Sequence, residues 1–92
     1  MPEEDIMSAL EKIRYEIERL YGIGESIHIN INMTHPKLVV HNVCAEIKGV
    51  YPNIFIIEER DCGFPRRHSL SYTDVLIKQV EILELRLGND NF

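Results

Sequence analysis

The sequence predicts a mainly β protein with an N-terminal α-helix, folded as a small SH3-like five-stranded antiparallel barrel. Two observations predict this class. Apolar residues recur at helical spacing near the N-terminus, and five later segments rich in β-branched residues are separated by turn residues. Five short, bent strands favour a barrel, because closure removes exposed strand edges. An open α+β sheet built from the same elements is the alternative.

The chain of 92 residues is expected to form one domain, because it is too short for two hydrophobic cores. We divide it into a helix over residues 3–21 that packs on the barrel, a β-barrel over residues 25–87, and a polar tail over residues 88–92.

Residues 3–21 are predicted to form one amphipathic helix. Gly22 and Gly24 are expected to end it, because glycine readily adopts the left-handed conformation that closes a helix. This helix is expected to cover the outer face of residues 54–57, which are apolar at every position and therefore need cover on both faces. The apolar face of the helix comprises Ile6, Leu10, Ile13, Ile17 and Leu20.

Five strands are predicted in the rest of the chain. Residues 26–33 alternate between apolar and polar, which is typical of a half-buried strand with one wet face. Residues 37–50 change phase within one extended segment, which indicates a bulge, and Gly49 indicates a second irregularity. The remaining strands are placed at residues 54–57, 68–72 and 78–87.

The predicted connections contain turn residues. Pro36 separates the first two strands, and residues 58–67 are interpreted as a hairpin connection. Ser71 or Thr73 is predicted to cap a single helical turn before the last strand, and Asp74 is interpreted as a residue that stabilises this turn.

Composition and charge argue against several classes of protein. The net charge is −5, so the chain lacks the basic surface that binds nucleic acid in general. No apolar run is long enough to cross a membrane, and the acidic N-terminus is unlike a signal peptide. We therefore expect a cytoplasmic location and no membrane contact.

No metal, cofactor or catalytic activity is expected. The histidines and cysteines lack the close paired spacing of metal ligands, and we interpret both cysteines as free thiols. No nucleophile elbow, Cys–His signature or glycine-rich phosphate loop appears, and the adjacent Glu58 and Glu59 must face opposite ways on a strand. The residues considered for a metal site are His28, His35, His41, His68, Cys44 and Cys62.

The loop over residues 58–67 contains the sharpest binding candidate, a local basic group next to an aromatic residue. Arginine and aromatic side chains are favoured at interface hot spots, so this loop could bind an acidic peptide or a phosphate. The structural alternative is that the aromatic ring packs against the barrel while the arginines pair with Glu58, Glu59 and Asp61. The candidate residues are Arg60, Phe64, Arg66 and Arg67.

A second candidate is the wet face of the first strand together with the loop that follows it. It offers hydrogen-bonding groups with little charge, and the alternative is a face that is simply solvated. Its residues are His28, Asn30, Asn32 and His35.

The central stretch resembles the Veg family of Gram-positive bacteria, the biofilm-formation stimulators. The resemblance covers residues 10–85 and is most specific over 51–81. It is carried by Tyr51-Pro52, Ile54-Phe55, Ile57, Ser69, Ser71-Tyr72, Asp74-Val75-Leu76 and Val80-Glu81. It implies a small SH3-like barrel without known catalytic activity or cofactor, and a regulatory role linked to biofilm matrix genes. The basic loop frequent in that family corresponds here to residues 32–37, which hold one lysine.

Together these inferences predict a non-enzymatic cytoplasmic regulatory module that acts through protein contacts in gene regulation linked to biofilm formation. The alternative is a small nucleic-acid-binding barrel that uses the 60–67 loop, although the net charge disfavours it. A protein partner is expected, and a second copy could form a homodimer by capping an unpaired strand edge at residues 26–33.

Overall fold

The computed structural model describes residues 2–35, 37–60 and 64–85, with the backbone alone for residues 2–7. Predictions for the side chain of Ile6, for Pro36, and for residues 61–63 and 86–92 lie outside the described residues. The described elements, in chain order, are α1 (Pro2–Ile23), β1 (Ile27–Thr34), β2 (Lys37–Val50), β3 (Ile54–Glu59), β4 (Arg66–Ser71), α2 (Tyr72–Leu76) and β5 (Val80–Ile82).

The five strands form one open antiparallel sheet with the order β4-β3-β2-β1-β5. The mainly β class with an N-terminal helix is confirmed. Because β4 and β5 are the two edges and do not pair with each other, closure into a barrel is not confirmed, and the observed sheet matches the open alternative. Strand β1 lies between β2 and β5, so the expected unpaired edge at residues 26–33 is wrong.

The first predicted irregularity of β2 is confirmed as a bulge. Ile29 pairs with Val43 and Ile31 pairs with Val40, so β2 has one more residue than β1 between these two pairs. Asn42 lies within this extra length and has a left-handed φ of 50°. Asparagine tolerates that conformation better than most residues. The bulge therefore explains the change of phase in the sequence.

The second irregularity lies at Gly49. Ile47 pairs with Ile57 and Gly49 pairs with Ile56, so the register of β2 against β3 shifts between them. The ring of Tyr51 lies across this glycine, and a Cβ atom there would meet Tyr51 Cε2 at 2.9 Å. The glycine thus allows an aromatic side chain to lie directly on the sheet.

Helix α1 packs on the inner face of the sheet, and this corrects the expected position of the helix. Residues 54–57 alternate: Phe55 and Ile57 are buried on the inner face, whereas Ile54 is 36% exposed on the outer face. The core forms between one helix stripe and one sheet face. It comprises Ile13, Ile17, Leu20, Ile27, Ile29, Ile31, Ala45, Ile47, Phe55, Ile57, Leu70, Tyr72, Val75, Val80 and Ile82.

A glycine ends α1 as predicted, and it is Gly24 rather than Gly22. Gly24 has a left-handed φ of 70°, whereas Gly22 lies within the last turn of the helix. The N–H of Gly24 donates to the carbonyl of Tyr21 at 3.2 Å.

Ser71, rather than Thr73, caps the short helix α2. The Ser71 hydroxyl accepts from the N–H of Asp74 at 3.0 Å, and the Asp74 carboxylate accepts from the N–H of Ser71 at 3.4 Å. This reciprocal capping box confirms the structural interpretation of Asp74. The last strand is shorter than predicted, because β5 ends at Ile82 and a turn follows.

Candidate interaction surface

Two of the four residues assigned to the 60–67 loop lie instead on a strand. Arg66 and Arg67 belong to β4, where Arg66 pairs with Glu59 and Arg67 pairs with Glu58 of β3. The predicted connection over residues 58–67 is therefore too long, because both of its ends are paired strand. Arg60 directly follows β3, and its N–H donates to the carbonyl of Cys44 at 3.0 Å.

An ion-pair network crosses the outer face from β2 to β4. Glu46 and Glu58 are opposite each other, which places two like charges together. Lys48 bridges them, with its Nζ 3.2 Å from Glu46 Oε1 and 3.5 Å from Glu58 Oε1. Arg60 Nη1 lies 2.7 Å from Glu46 Oε1, and Arg67 Nε lies 3.4 Å from Glu58 Oε2. The hydrogen bond from Lys48 and the field of Arg60 lower the pKa of Glu46.

This network agrees with part of the structural alternative for the arginines. Arg67 pairs with Glu58 as that interpretation expects, but Arg60 uses Glu46, and Asp61 lies outside the described residues. The expectation for the aromatic ring is wrong, because Phe64 is 72% exposed and does not pack on the sheet.

Glu59 is held by His68. The two side chains share the inner face, and Glu59 is 4% exposed. Glu59 Oε2 lies 2.5 Å from His68 Nε2. Within residues 2–35, 37–60 and 64–85, the exposed Arg66 has no ion pair, although Glu59 is its partner in the strand register.

Strand β4 presents backbone groups without a partner among the described residues at one edge of the sheet. The N–H of Tyr51 donates to the carbonyl of Ile54 at 2.9 Å, so the backbone groups of Ile54 face β2. Because these groups alternate in direction along a strand, those of Phe55, Ile57 and Glu59 face β4. Their partners in β4 are Leu70, His68 and Arg66.

The N–H and C=O groups of the other two residues in the middle of β4, Arg67 and Ser69, therefore point away from the sheet. None of the described residues bonds to these groups. We call them the free edge of β4. The N–H of Ser71, which points the same way, is occupied by the Asp74 carboxylate. The free edge is thus two residues long and ends at the capping box.

The second candidate set, on β1, is engaged within the sheet. Asn30 Oδ1 accepts from the N–H of Asn42 at 2.7 Å, and Asn30 Nδ2 donates to Glu81 Oε1 at 3.3 Å. His28 contacts Glu84 through both its N–H and its ring. Sequence reasoning missed Asn42 and Glu84, because no local signal indicates which distant residue will face an exposed strand position.

The two remaining members of this set do not join a common site. The N–H of Asn32 donates to the carbonyl of Gln79 at 2.8 Å, while its side chain is exposed. His35 lies at the hairpin turn, with its Nδ1 3.2 Å from Thr34 Oγ1. His28 and His35 are seven residues apart on or beside one strand, so roughly 23 Å separates them. Strands β2 and β3 also separate this set from the arginines of β4.

The described residues include no group of three or more His, Cys, Asp or Glu side chains that could hold a metal ion. Cys44 is half-buried on β2, and Cys62 lies outside the described residues. In the part of the chain that the structure describes, no helix is long and apolar enough to span a lipid bilayer.

A family model described as biofilm formation stimulator VEG matches residues 8–83, which is most of the chain. This chain belongs to the VEG family. The resemblance found in the sequence is therefore confirmed. No curated protein matches the chain.

The VEG match runs from α1 to β5 and includes the free edge of β4 and the first set of candidate residues, Arg60, Phe64, Arg66 and Arg67. Membership in the VEG family implies a role related to biofilm formation. The VEG family is described as a stimulator and is not a known enzyme family.

Proposed function

We propose that this chain is a non-enzymatic, cytoplasmic regulatory module that acts through protein contacts in gene regulation linked to biofilm formation. A partner protein adds an extended segment to the free edge of β4. The observation that carries this proposal is that β4 is an edge of the sheet, and that its backbone groups at Arg67 and Ser69 have no partner among the described residues. Extended peptides bind such edges through main-chain hydrogen bonds, and the neighbouring side chains provide specificity.

The side chains around the free edge favour an acidic partner segment. Arg66 is exposed, and its strand partner Glu59 is already held by His68. A carboxylate on the incoming segment would therefore find a guanidinium without a competing acid among the described residues. Phe64 lies just before β4 and is 72% exposed, so it offers an apolar anchor at the end of the same edge.

The pairing of the arginines supports a protein partner over nucleic acid. A nucleic-acid site needs several cations that are free to neutralise phosphates. Here Arg60 is paired with Glu46 and Arg67 with Glu58, and the whole chain has a net charge of −5. The alternative of a nucleic-acid module on the 60–67 loop is an outcome that the following experiment can reveal.

The test is site-specific photo-crosslinking in the native host. A photoreactive phenylalanine analogue replaces Phe64 in one strain and Tyr15 in a control strain. Tyr15 is a matched control, because it is 68% exposed but lies on α1, away from β4. We expect a discrete protein adduct from position 64 that is missing from position 15.

A second change, Ser69→Pro, separates edge docking from a general surface contact. The N–H of Ser69 points away from β3, so proline removes a docking donor without removing a bond of the sheet. We expect Ser69→Pro to abolish the adduct and to reduce biofilm formation. Equal adducts from positions 64 and 15, adducts with nucleic acid, or an adduct that Ser69→Pro leaves unchanged would each refute the proposal.

A further inference from the structure

The free edge of β4 is symmetric about His68. The residues on either side of it, Arg67 and Ser69, direct their N–H and C=O groups away from the sheet, and these groups have no partner among the described residues. Ser71 ends the edge on one side, because its N–H is bound within the capping box and its carbonyl belongs to the N-cap of α2. Pro65 ends it on the other side, because proline has no N–H.

This symmetry makes the edge complementary to itself. Two copies of β4 that lie antiparallel around a two-fold axis at His68 bring Arg67 of each copy opposite Ser69 of the other. Both residues point their backbone groups outward, so each of these two pairs exchanges two hydrogen bonds. Every N–H and C=O group of both free edges is then satisfied. The next pair, Pro65 with Ser71, has no available donor on either side, so the ladder ends there for both copies.

The neighbouring registers are less favourable. An axis at Arg67 places the two guanidinium groups directly opposite each other, and like charges on facing strands are destabilising. An axis at Ser69 places Arg67 opposite Ser71, whose backbone groups are already used by the capping box and α2. The axis at His68 instead places each Arg67 opposite the small, uncharged side chain of Ser69. The register at His68 is therefore the one that the edge specifies.

The described neighbours of β4 are compatible with this pairing. Helix α1 packs mainly on β2 and α2 rather than on β4. The side chains of Arg67 and Ser69 are exposed on the outer face. On the inner face the two His68 rings meet at the axis, each bound to Glu59 of its own chain, so the pairing breaks no ion pair. The two five-stranded sheets then form one continuous sheet.

We propose that a second copy of this chain occupies the free edge of β4, with the two-fold axis at His68. An exposed strand edge invites uncontrolled association, and a closed two-fold pair removes that edge. The shared ladder is short, and interfaces below about 1,200 Å² are typical of weak, transient complexes, so we expect the dimer to dissociate on dilution. The dimer and a docked partner segment use the same backbone groups and exclude each other; this consequence rests on the function proposed above.

NMR on a mixed sample of the full chain tests the register. One half of the protein carries ¹³C and ¹⁵N and the other half is unlabelled, so that an isotope filter selects contacts between copies. Opposite residues of a non-hydrogen-bonded antiparallel pair have Cα atoms about 4.5 Å apart. We therefore expect a cross-peak between the Hα protons of His68 in the two copies, in reducing buffer that prevents disulfides between copies.

Hydrogen exchange tests the edge itself. In the monomer the Ser69 amide has no acceptor among the described residues, so its protection reports on the second copy. We expect it to exchange at least about twofold more slowly at about 1 mM protein than at about 10 µM. The Ile57 amide is the control, because it faces β4 within one chain and should not respond to dilution in this way.

Two substitutions at Ser69 test the charge arrangement across the axis. Ser69→Glu places a carboxylate opposite Arg67 of the other copy, twice per dimer, and should lower the dissociation constant by about 2- to 30-fold. Ser69→Lys places like charges there and should raise it by a similar factor. Tyr15→Glu is the control, because it adds the same charge as Ser69→Glu at an exposed position of α1. Analytical ultracentrifugation measures all three.

A chain that stays monomeric up to about 1 mM would overturn the proposal, as would a dimer that lacks the His68 contact. Equal responses to Ser69→Glu and Ser69→Lys would overturn it too. These failures differ from failure of the proposed function. A monomeric chain that still gives an adduct with a different protein from position 64 has the partner without the dimer. A dimer with the His68 contact and no such adduct has the pairing without the partner.

Discussion

The carboxylate of Glu84 binds His28 twice: Oε1 accepts from the backbone N–H at 2.9 Å, and Oε2 lies 2.8 Å from ring Nδ1. The N–H of His28 faces β5 but lies beyond the last residue of that strand. A side chain thus supplies the acceptor that the backbone of β5 no longer provides. The Glu84–His28 contact therefore extends the pairing of β1 and β5 past the end of the ladder.

Glu84 is expected to make stability depend on pH in the acid range. Partial burial raises the pKa of Glu84, but the hydrogen bonds from the His28 side chain and backbone outweigh it, so the pKa is lowered. A lowered folded-state pKa contributes stability above the ordinary glutamate pKa, and this stability is lost as pH falls through the folded value. Glu84→Gln should reduce the free energy of unfolding by about 1 kcal/mol at neutral pH.

Urea unfolding of the native protein and of Glu84→Gln from pH 7 to pH 2 tests this prediction. The difference between the native protein and Glu84→Gln should shrink at the acid end. Glu81→Gln is the control, because Glu81 lies on β5, three residues before Glu84, and accepts one long hydrogen bond from Asn30. A pH-independent difference for Glu84→Gln, or an equal effect at Glu81, would contradict the assignment.

The capping box of α2 should make Ser71 more important than Thr73. Ser71→Ala removes the acceptor for the N–H of Asp74, which typically costs about 1 kcal/mol. Thr73→Ala should change stability by less than about 0.5 kcal/mol, because Thr73 is exposed and its side chain is not part of the cap. Chemical unfolding monitored by circular dichroism distinguishes the two. Equal losses would show that the cap is not specific to Ser71.

The bulge in β2 should tolerate glycine but not a β-branched residue. Asn42 has a left-handed φ of 50°, which costs other L-residues roughly 1–2 kcal/mol. We expect Asn42→Gly to remain close to native stability and Asn42→Val to lose about that amount. His41→Val, one position earlier at an exposed residue of the same strand, should have little effect. A lower midpoint temperature of thermal unfolding for Asn42→Gly than for Asn42→Val would contradict this expectation.

Tyr72 should ionise at a higher pH than an ordinary tyrosine. Its ring stacks on Phe55 with 5.4 Å between centroids, and its hydroxyl donates to the carbonyl of Tyr51 at 2.6 Å. Burial raises the pKa of Tyr72. The stability that it contributes is therefore present below the ordinary tyrosine pKa and is lost as pH rises through the folded value.

Ultraviolet absorbance during alkaline titration tests this expectation, because the chain has four tyrosines and no tryptophan. One of the four should titrate late. Tyr72→Phe should remove this late step and lower the free energy of unfolding by about 1 kcal/mol. If the late step persists in Tyr72→Phe, it belongs to another tyrosine, and the expectation for Tyr72 is wrong.

Local patterns predicted the elements that depend on nearby residues. The spacing of Ile13, Ile17 and Leu20 predicted α1, the phase change in residues 37–50 predicted the first bulge of β2, and Gly49 predicted the second irregularity. These features follow from the 3.6-residue period of a helix and the two-residue period of a strand, so a short window is enough to detect them. The cap at Ser71 was also predicted, with Thr73 as its alternative, because both hydroxyl residues occupy plausible positions.

Features that depend on distant residues were predicted less well. The run 54–57 looked buried on both faces, but the sheet places Ile54 on an outer face that lacks a covering layer among the described residues. The pairing of Arg60 with Glu46 also depends on how β2 and β3 align. When the register between the strands is unknown, the sequence does not show which charged residues will be neighbours.

The sequence by itself determined the secondary-structure class, the bulges and the family, because each rests on residue types at fixed local spacing. The tertiary structure alone decided that the described sheet stays open, that β4 and β5 are its edges, and that Arg66 has no ion pair among the described residues. Strand order and cross-strand neighbours arise from contacts between residues far apart in the chain. The free energy of those contacts depends on the whole assembly rather than on any one segment.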